Sequence, residues 1–164
     1  MPHQNARKAN EIAEALGAVV IPVYRSKKPK YRRWRGLDYP KCHTRELLKL
    51  YDEHTNIAVV QGKPSSGLIS IDFDDAKALK EFLTLNPPFK DTLTTSAARG
   101  ANLWFKMRGN YPNLTTLKRG RSIWAEWRST GAFTVIAGIH EEGMRYTSNE
   151  QKPISICLDE IVLP

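Results

Sequence analysis

Cysteine is scarce in this chain. Cys42 and Cys157 are the only two in 164 residues, so no disulfide framework replaces a hydrophobic core. Long hydrophobic runs are absent as well. The longest, such as 17–23, are far too short to span a bilayer. The first ten residues, MPHQNARKAN, hold no apolar signal segment. These absences lead us to expect a cytoplasmic chain with no membrane partner. No internal repeat or low-complexity tract interrupts the sequence. With 41% hydrophobic residues, 1–164 reads as one domain long enough to bury a core. Acidic residues are missing from one stretch in particular: between 92 and 140, Glu126 is the only one.

Positive charge is plentiful. Lys and Arg number 25 against 17 Asp and Glu, a net charge of +8. A basic domain of this size points to a polyanionic partner, nucleic acid or nucleotide. The charge is uneven. Residues 1–35 carry +7 and residues 99–128 carry +6, while the remainder is net acidic at -5. Two basic regions therefore flank an acidic centre at Asp72-Phe73-Asp74-Asp75.

Periodicity predicts a helix over 5–16 closed by Gly17, and a buried strand over 18–23. A basic loop follows over 25–40. Thr44 is placed to cap a helix reaching about residue 54. Strands are expected over 56–60 and 68–73, separated by the turn QGKPSSG. Asp74 or Asp75 caps a helix over 76–85, which Pro87-Pro88 ends. Beyond residue 90 strands dominate, over 92–97, 102–107, 122–128 and 133–137. We expect 108–121 to be a mobile basic connector, and 154–163 to be a last strand or the start of a linker. Helices first and strands later argue an α+β fold.

The candidate chemistry begins on 67–74. Alternation puts Ile69, Ile71 and Phe73 on one face, and Ser70, Asp72 and Asp74 on the other. Two carboxylates at that spacing either converge on a hard divalent ion such as Mg²⁺ or Mn²⁺, or serve as a helix cap and a solvated partner. On 122–128, Glu126 shares a face with Trp124 and Arg128. It either pairs with Arg128 or Arg121, or completes a metal site. Arg99-Gly100 at a strand entrance suits a phosphate, or is an ordinary hairpin turn. In the loop 25–35, Tyr24, Tyr31 and Trp34 interleave with Lys and Arg. That mixture suits a single-stranded template, or the rings anchor the loop to the core.

The order of these pieces resembles the bifunctional DNA primase/polymerase domain of the archaeo-eukaryotic primase superfamily. The resemblance covers about 9–146. It rests on Val20-Ile-Pro with Lys28-Pro29 and Trp34, on Asn56-Ile-Ala-Val-Val-Gln-Gly, and on Gly67-Leu-Ile-Ser-Ile-Asp-Phe-Asp. It continues with Arg99-Gly100-Ala101-Asn102-Leu-Trp-Phe, then Glu126, and the closing segment from Phe133 through His140 and Gly143 to Tyr146.

The resemblance implies an α/β part packed on an RRM-like antiparallel sheet, and template-directed nucleotidyl transfer from nucleoside triphosphates. Asp72, Asp74 and Glu126 would be the catalytic carboxylates holding Mg²⁺ or Mn²⁺. Arg99, Asn102, Arg128 and His140 would contact the nucleotide. Lys28, Lys30, Arg32, Arg33 and Trp34 are the expected contacts to a single-stranded DNA template or primer. A fused or associated helicase is an expected partner, with the chain a piece of a longer replication protein. One position departs from the pattern: Asn102 stands where the family carries a histidine. That substitution motivates an alternative, a non-catalytic module that binds single-stranded nucleic acid or nucleotide on the same fold. A third reading, an RNA binder, would stack bases on Trp104, Phe105, Trp124 and Trp127.

Overall fold

The structure is a computed structural model describing residues 1–40 and 45–163. The expected cap Thr44, like Cys42, lies outside the described residues. Helix α1 (Gln4–Leu16) buries Ala6, Ala9, Ala13 and Leu16, a stripe three to four residues apart. Gly17 ends it in the left-handed conformation, donating its N–H to the Ala13 carbonyl. Strand β1 (Val19–Val23) follows. Helix α2 (Arg45–Leu48) is one turn long, shorter than expected. Beyond it Asp52 accepts from the His54 N–H at 2.9 Å and from the Thr55 hydroxyl at 2.7 Å. That local turn competes with helix continuation.

Strands β2 (Asn56–Val60) and β3 (Leu68–Phe73) lead into helix α3 (Ala76–Leu85). Asp75, not Asp74, caps α3 by accepting from the Lys77 N–H. The remaining strands are β4 (Thr94–Ser96), β5 (Ala101–Arg108), β6 (Thr115–Arg119), β7 (Ser122–Arg128), β8 (Phe133–Ala137), β9 (Thr147–Ser148) and β10 (Ile154–Cys157). They form two sheets. The small one runs β1-β2-β8, all antiparallel. The large one runs β6-β7-β3-β5-β4-β9, with β10 added parallel to β5. This mixed architecture is consistent with the expected α+β class.

The two faces of the large sheet differ. Ile69, Ile71 and Phe73 pack beneath α3 in a core of edge-on rings. Phe73, Phe82, Phe89, Phe105 and Trp127 follow one another with centroids 4.9–5.7 Å apart, each pair adding about 0.5–1.5 kcal/mol beyond its burial. On the opposite face, Leu68 and Trp104 lie under α1 and the small sheet. That cover stops short of Asp72.

Three expectations are corrected. Within 108–121, residues 115–119 form β6, the edge strand on β7, anchored by Arg119 donating to Glu81 at 2.6 Å. Trp124 also leaves the face expected of it. The β6–β7 register skips from Leu117↔Ala125 to Lys118↔Ile123, so Trp124 is the extra residue of a bulge. Its ring turns onto Phe73 and Phe82, and Ile123 is left exposed. Trp104, Phe105 and Trp127 are fully buried and offer no face for bases, which removes the expected stacking platform of an RNA binder.

Candidate active site

Antiparallel pairing lays one row of residues across the large sheet. Glu126 is opposite Asp72, Asp72 is opposite Asn102, and Asn102 is opposite Thr95. Directly opposed residues point to one face with Cβ atoms about 4.5–5.5 Å apart. The next row on that face pairs Arg128 with Ser70 and Ser70 with Trp104. Pleating thus delivers two carboxylates, a carboxamide and a guanidinium to one patch from three separated stretches of chain.

The patch floors a cleft with two lobes. The larger, about 340 Å³, is walled by Trp34, Arg35, Arg128 and the β8 residues Phe133, Thr134 and Val135. The smaller, about 180 Å³, holds Asp74, the 95–99 segment ending in Arg99, and His140. Lys27, Asp72, Asn102 and Tyr146 line both. The structure therefore brings together Asp72, Asp74, Arg99, Asn102, Arg128 and His140, with Glu126 beside Asp72 in the row. Gly100 explains how Arg99 comes so near. It adopts φ +66°, and a Cβ there would run into the Phe73 carbonyl at the end of β3, so only glycine lets this loop lie against the acidic strand end.

Charge crowds at Asp72. Burial, followed by the neighbouring Asp74 and Glu126, pushes its carboxyl up to about 6, against the pull of Arg128 and Lys27. Arg128 is held on three sides. Its Nε donates to Thr134 Oγ1 at 2.7 Å, one terminal nitrogen donates to the Phe133 carbonyl at 2.8 Å, and the other to Glu126. The phenol of Tyr146 is raised by burial first and by Asp72 next.

The expected template residues are dispersed. Lys28, Arg32 and Arg33 are exposed, outside the cleft walls. The ammonium of Lys30 is committed to Asp52 at 2.8 Å and Thr55 at 2.5 Å. Trp34 is buried edge-on against Phe133 at 5.0 Å, with the Arg35 guanidinium 4.3 Å over its ring. Reading residue types missed Lys27, Arg35, Gln61 and Asn56. Lys27 has φ 67°, rare for a residue with a side chain, and that turn aims it between the lobes. Asn56 clamps the exit of β8: its amide donates to the Ile139 carbonyl and accepts from the Ile139 N–H, both at 2.8 Å. The loop bearing His140 and Tyr146 starts from that clamp. The strand motif Asn56-Ile-Ala-Val-Val-Gln-Gly held the signal, since polar Asn56 and Gln61 bracket four apolar residues.

Asp72 on β3 and Asp74 just past its end fit a divalent cation. They are hard oxygen donors, and the burial and neighbouring carboxylates that raise the Asp72 carboxyl are penalties that a cation relieves. Glu126 is turned to Arg128. Among the described residues, the three acids do not bring their ligand atoms within 4.8 Å of one another; the trio that does is Cys157, through its sulfur, with Asp159 and Glu160. There Glu160 is occupied by the Cys157 N–H at 2.7 Å and Arg108 at 3.2 Å.

The family model described as bifunctional DNA primase/polymerase, N-terminal, matches residues 9–160. That is nearly the whole chain, and the chain belongs to this family. Divalent metals are generally used by its members. No curated protein matches the chain. Among the described residues, no helix is long and apolar enough to cross a membrane.

Proposed function

We propose that this member of the bifunctional DNA primase/polymerase N-terminal family is a nucleotidyltransferase that extends a nucleic-acid strand on a single-stranded DNA template. The observation that carries the reading is the Asp72–Asn102 pair at the floor of a cleft walled by Lys27, Arg35, Arg99 and Arg128, with Glu126 beside Asp72 in the same row. Carboxylates at the centre of a cationic cleft are the arrangement that a triphosphate and its counter-cations need.

Asp72 and Asp74 would hold the divalent cations, Mg²⁺ or Mn²⁺, with Glu126 completing the set. Bound there, the cations neutralise the triphosphate and lower the pKa of the attacking hydroxyl. The rest falls to the chain. Arg99 and Lys27 place positive charge over the smaller lobe, where the phosphates would lie. Arg128, fixed by Thr134 and the Phe133 carbonyl, presents a preoriented guanidinium, so little reorganisation accompanies the build-up of charge. Asn102 offers an uncharged amide in place of an imidazole. Trp34 and Arg35 form the wall of the larger lobe, on the side open to a template. In the reaction, the 3′-hydroxyl loses its proton to solvent as its oxygen bonds to the α-phosphorus, the bond from that phosphorus to the oxygen bridging the β-phosphate breaks, and pyrophosphate leaves.

Primer extension on a primed single-stranded template tests this. The purified protein should extend with Mn²⁺ or Mg²⁺, and Asp72→Asn and Asp74→Asn should each lower the rate at least about 100-fold, the scale of lost electrostatic stabilisation. A second reading, nucleotide or single-strand binding without catalysis, is favoured by Glu126 being taken up by Arg128 and by Asn102 in the histidine position. Salt-sensitive binding with no extension in either metal would select it.

A further inference from the structure

One hydrogen-bonded chain runs beneath the cleft from Arg128 to Asn102, and one direction along it gives every hydroxyl hydrogen an acceptor. Arg128 Nε carries a hydrogen and no lone pair available to accept, so Thr134 Oγ1, 2.7 Å away, must accept. The single hydroxyl hydrogen of Thr134 then goes to Gln61 Oε1 at 2.7 Å. With its oxygen so used, Gln61 turns its Nε2 to Ser70 Oγ at 2.6 Å. Ser70 accepts that bond and passes its own hydrogen to Asn102 Oδ1 at 3.3 Å. No other acceptor for this hydroxyl occurs among the described residues. Gln61 and Ser70 are 0% exposed and Thr134 is 9% exposed, so bulk water offers little competition for these groups. Unmet polar groups there are costly, and the chain holds together.

The last link decides what the cleft meets. Asn102 spends its oxygen on Ser70, and its Nδ2 makes no hydrogen bond to protein among the described residues. Asn102 lines both lobes. We infer that Gln61, with Thr134 and Ser70, is a positioning device that locks the Asn102 carboxamide with its NH₂ toward the cleft, as a fixed donor for a phosphate oxygen of the nucleotide. An amide free to flip would present a carbonyl oxygen to the anion half the time. The chain also couples the sheets: Gln61 and Thr134 belong to the β2–β8 side, and Ser70 and Asn102 to the large sheet. Arg128, which makes Thr134 Oγ1 an acceptor, stands four hydrogen bonds from the amide that the chain orients. The inference rests on the cleft being a triphosphate site.

The test is a double-mutant cycle read by binding of magnesium tripolyphosphate, with the ¹⁵N side-chain amide resonances of Asn102 followed in the same titration. In the parent protein that pair should shift on binding. Asn102→Ala removes the donor and should weaken tripolyphosphate about ten- to a hundredfold, the worth of one hydrogen bond to a charged group. Ser70→Ala leaves Arg128 on Thr134 and frees the amide to flip, so it should weaken tripolyphosphate about twofold, the share of time the donor is turned away. The combination should be no worse than Asn102→Ala alone, because both act through the same donor. Ser70→Ala binding as tightly as the parent, or a further twofold loss in the double variant, overturns the inference. Should Ser70→Ala not fold, Gln61→Leu takes its place in the cycle with the same expectations. Failure of primer extension alongside a coupled cycle would remove the polymerase reading and leave this device standing. A tripolyphosphate titration that never moves the Asn102 resonances would remove the device whatever the protein extends.

Discussion

Asp72 is where the cost of the site is concentrated. Its carboxyl titrates near 3.8 when unfolded and at about 6 in the cleft. Between those values the folded state binds more protons than the unfolded one, so this group lowers stability as pH rises from about 4 to 6. Above that window the metal-free protein carries the full penalty, on the order of 3 kcal/mol from the two-unit rise. Asp72→Asn should therefore melt higher than the parent in chelator at pH 7.5. The gap should shrink toward pH 4.5 and close when Mg²⁺ is added to the parent, all measurable by thermal denaturation across pH. Equal melting of the two proteins at pH 7.5 would contradict it. Asp72, Asp74 and Asn102 were legible from alternation and from the resemblance. Lys27 and Arg35 were not, because residue type does not say which of nine Lys and Arg in 1–35 the turn will aim inward. Lys30 shows the converse: its ammonium serves the fold through Asp52, whose carboxyl it holds well below the usual range.

At the scale of elements, the loop carrying His140 and Tyr146 depends on Asn56. Asn56→Ala removes two hydrogen bonds and should cost about 2–3 kcal/mol, roughly the sum of two bonds. It should also raise the KM for nucleotide more than it lowers kcat, since the loop borders both lobes. Steady-state extension kinetics with a parallel melting curve check this; an unchanged KM would detach the loop from the site. Most elements could be read from pattern: β2, β3, β7, β8 and α3 fall where periodicity puts them. The failures have physical causes. Strand β6 is basic, nearly all exposed, and lacks an alternating apolar face, so only its pairing with β7 makes it a strand. The bulge at Trp124 depends on the β6 register, which no property of 122–128 encodes. Helix α2 stops early because the Asp52 side chain offers the backbone another partner.

For the whole molecule, net charge had suggested a polyanion without saying where. The cations that matter face the cleft: Lys27 and Arg35 from the first basic region, Arg99 and Arg128 from the second. The acids they surround lie at its floor. Binding of single-stranded DNA should weaken linearly in log–log plots against salt. Arg35→Ala should reduce the slope by up to about 0.7, one single-strand phosphate contact. An unchanged slope would place the strand elsewhere on the surface. That Asp72 floors a metal-dependent triphosphate site is tested by a crystal soaked with Mn²⁺ and a non-hydrolysable nucleoside triphosphate. An anomalous manganese signal is expected against Asp72 and Asp74, with phosphate density reaching Arg99 and Asn102. Manganese absent from Asp72 but present at Cys157, Asp159 and Glu160, or a triphosphate bound away from the cleft, would contradict it.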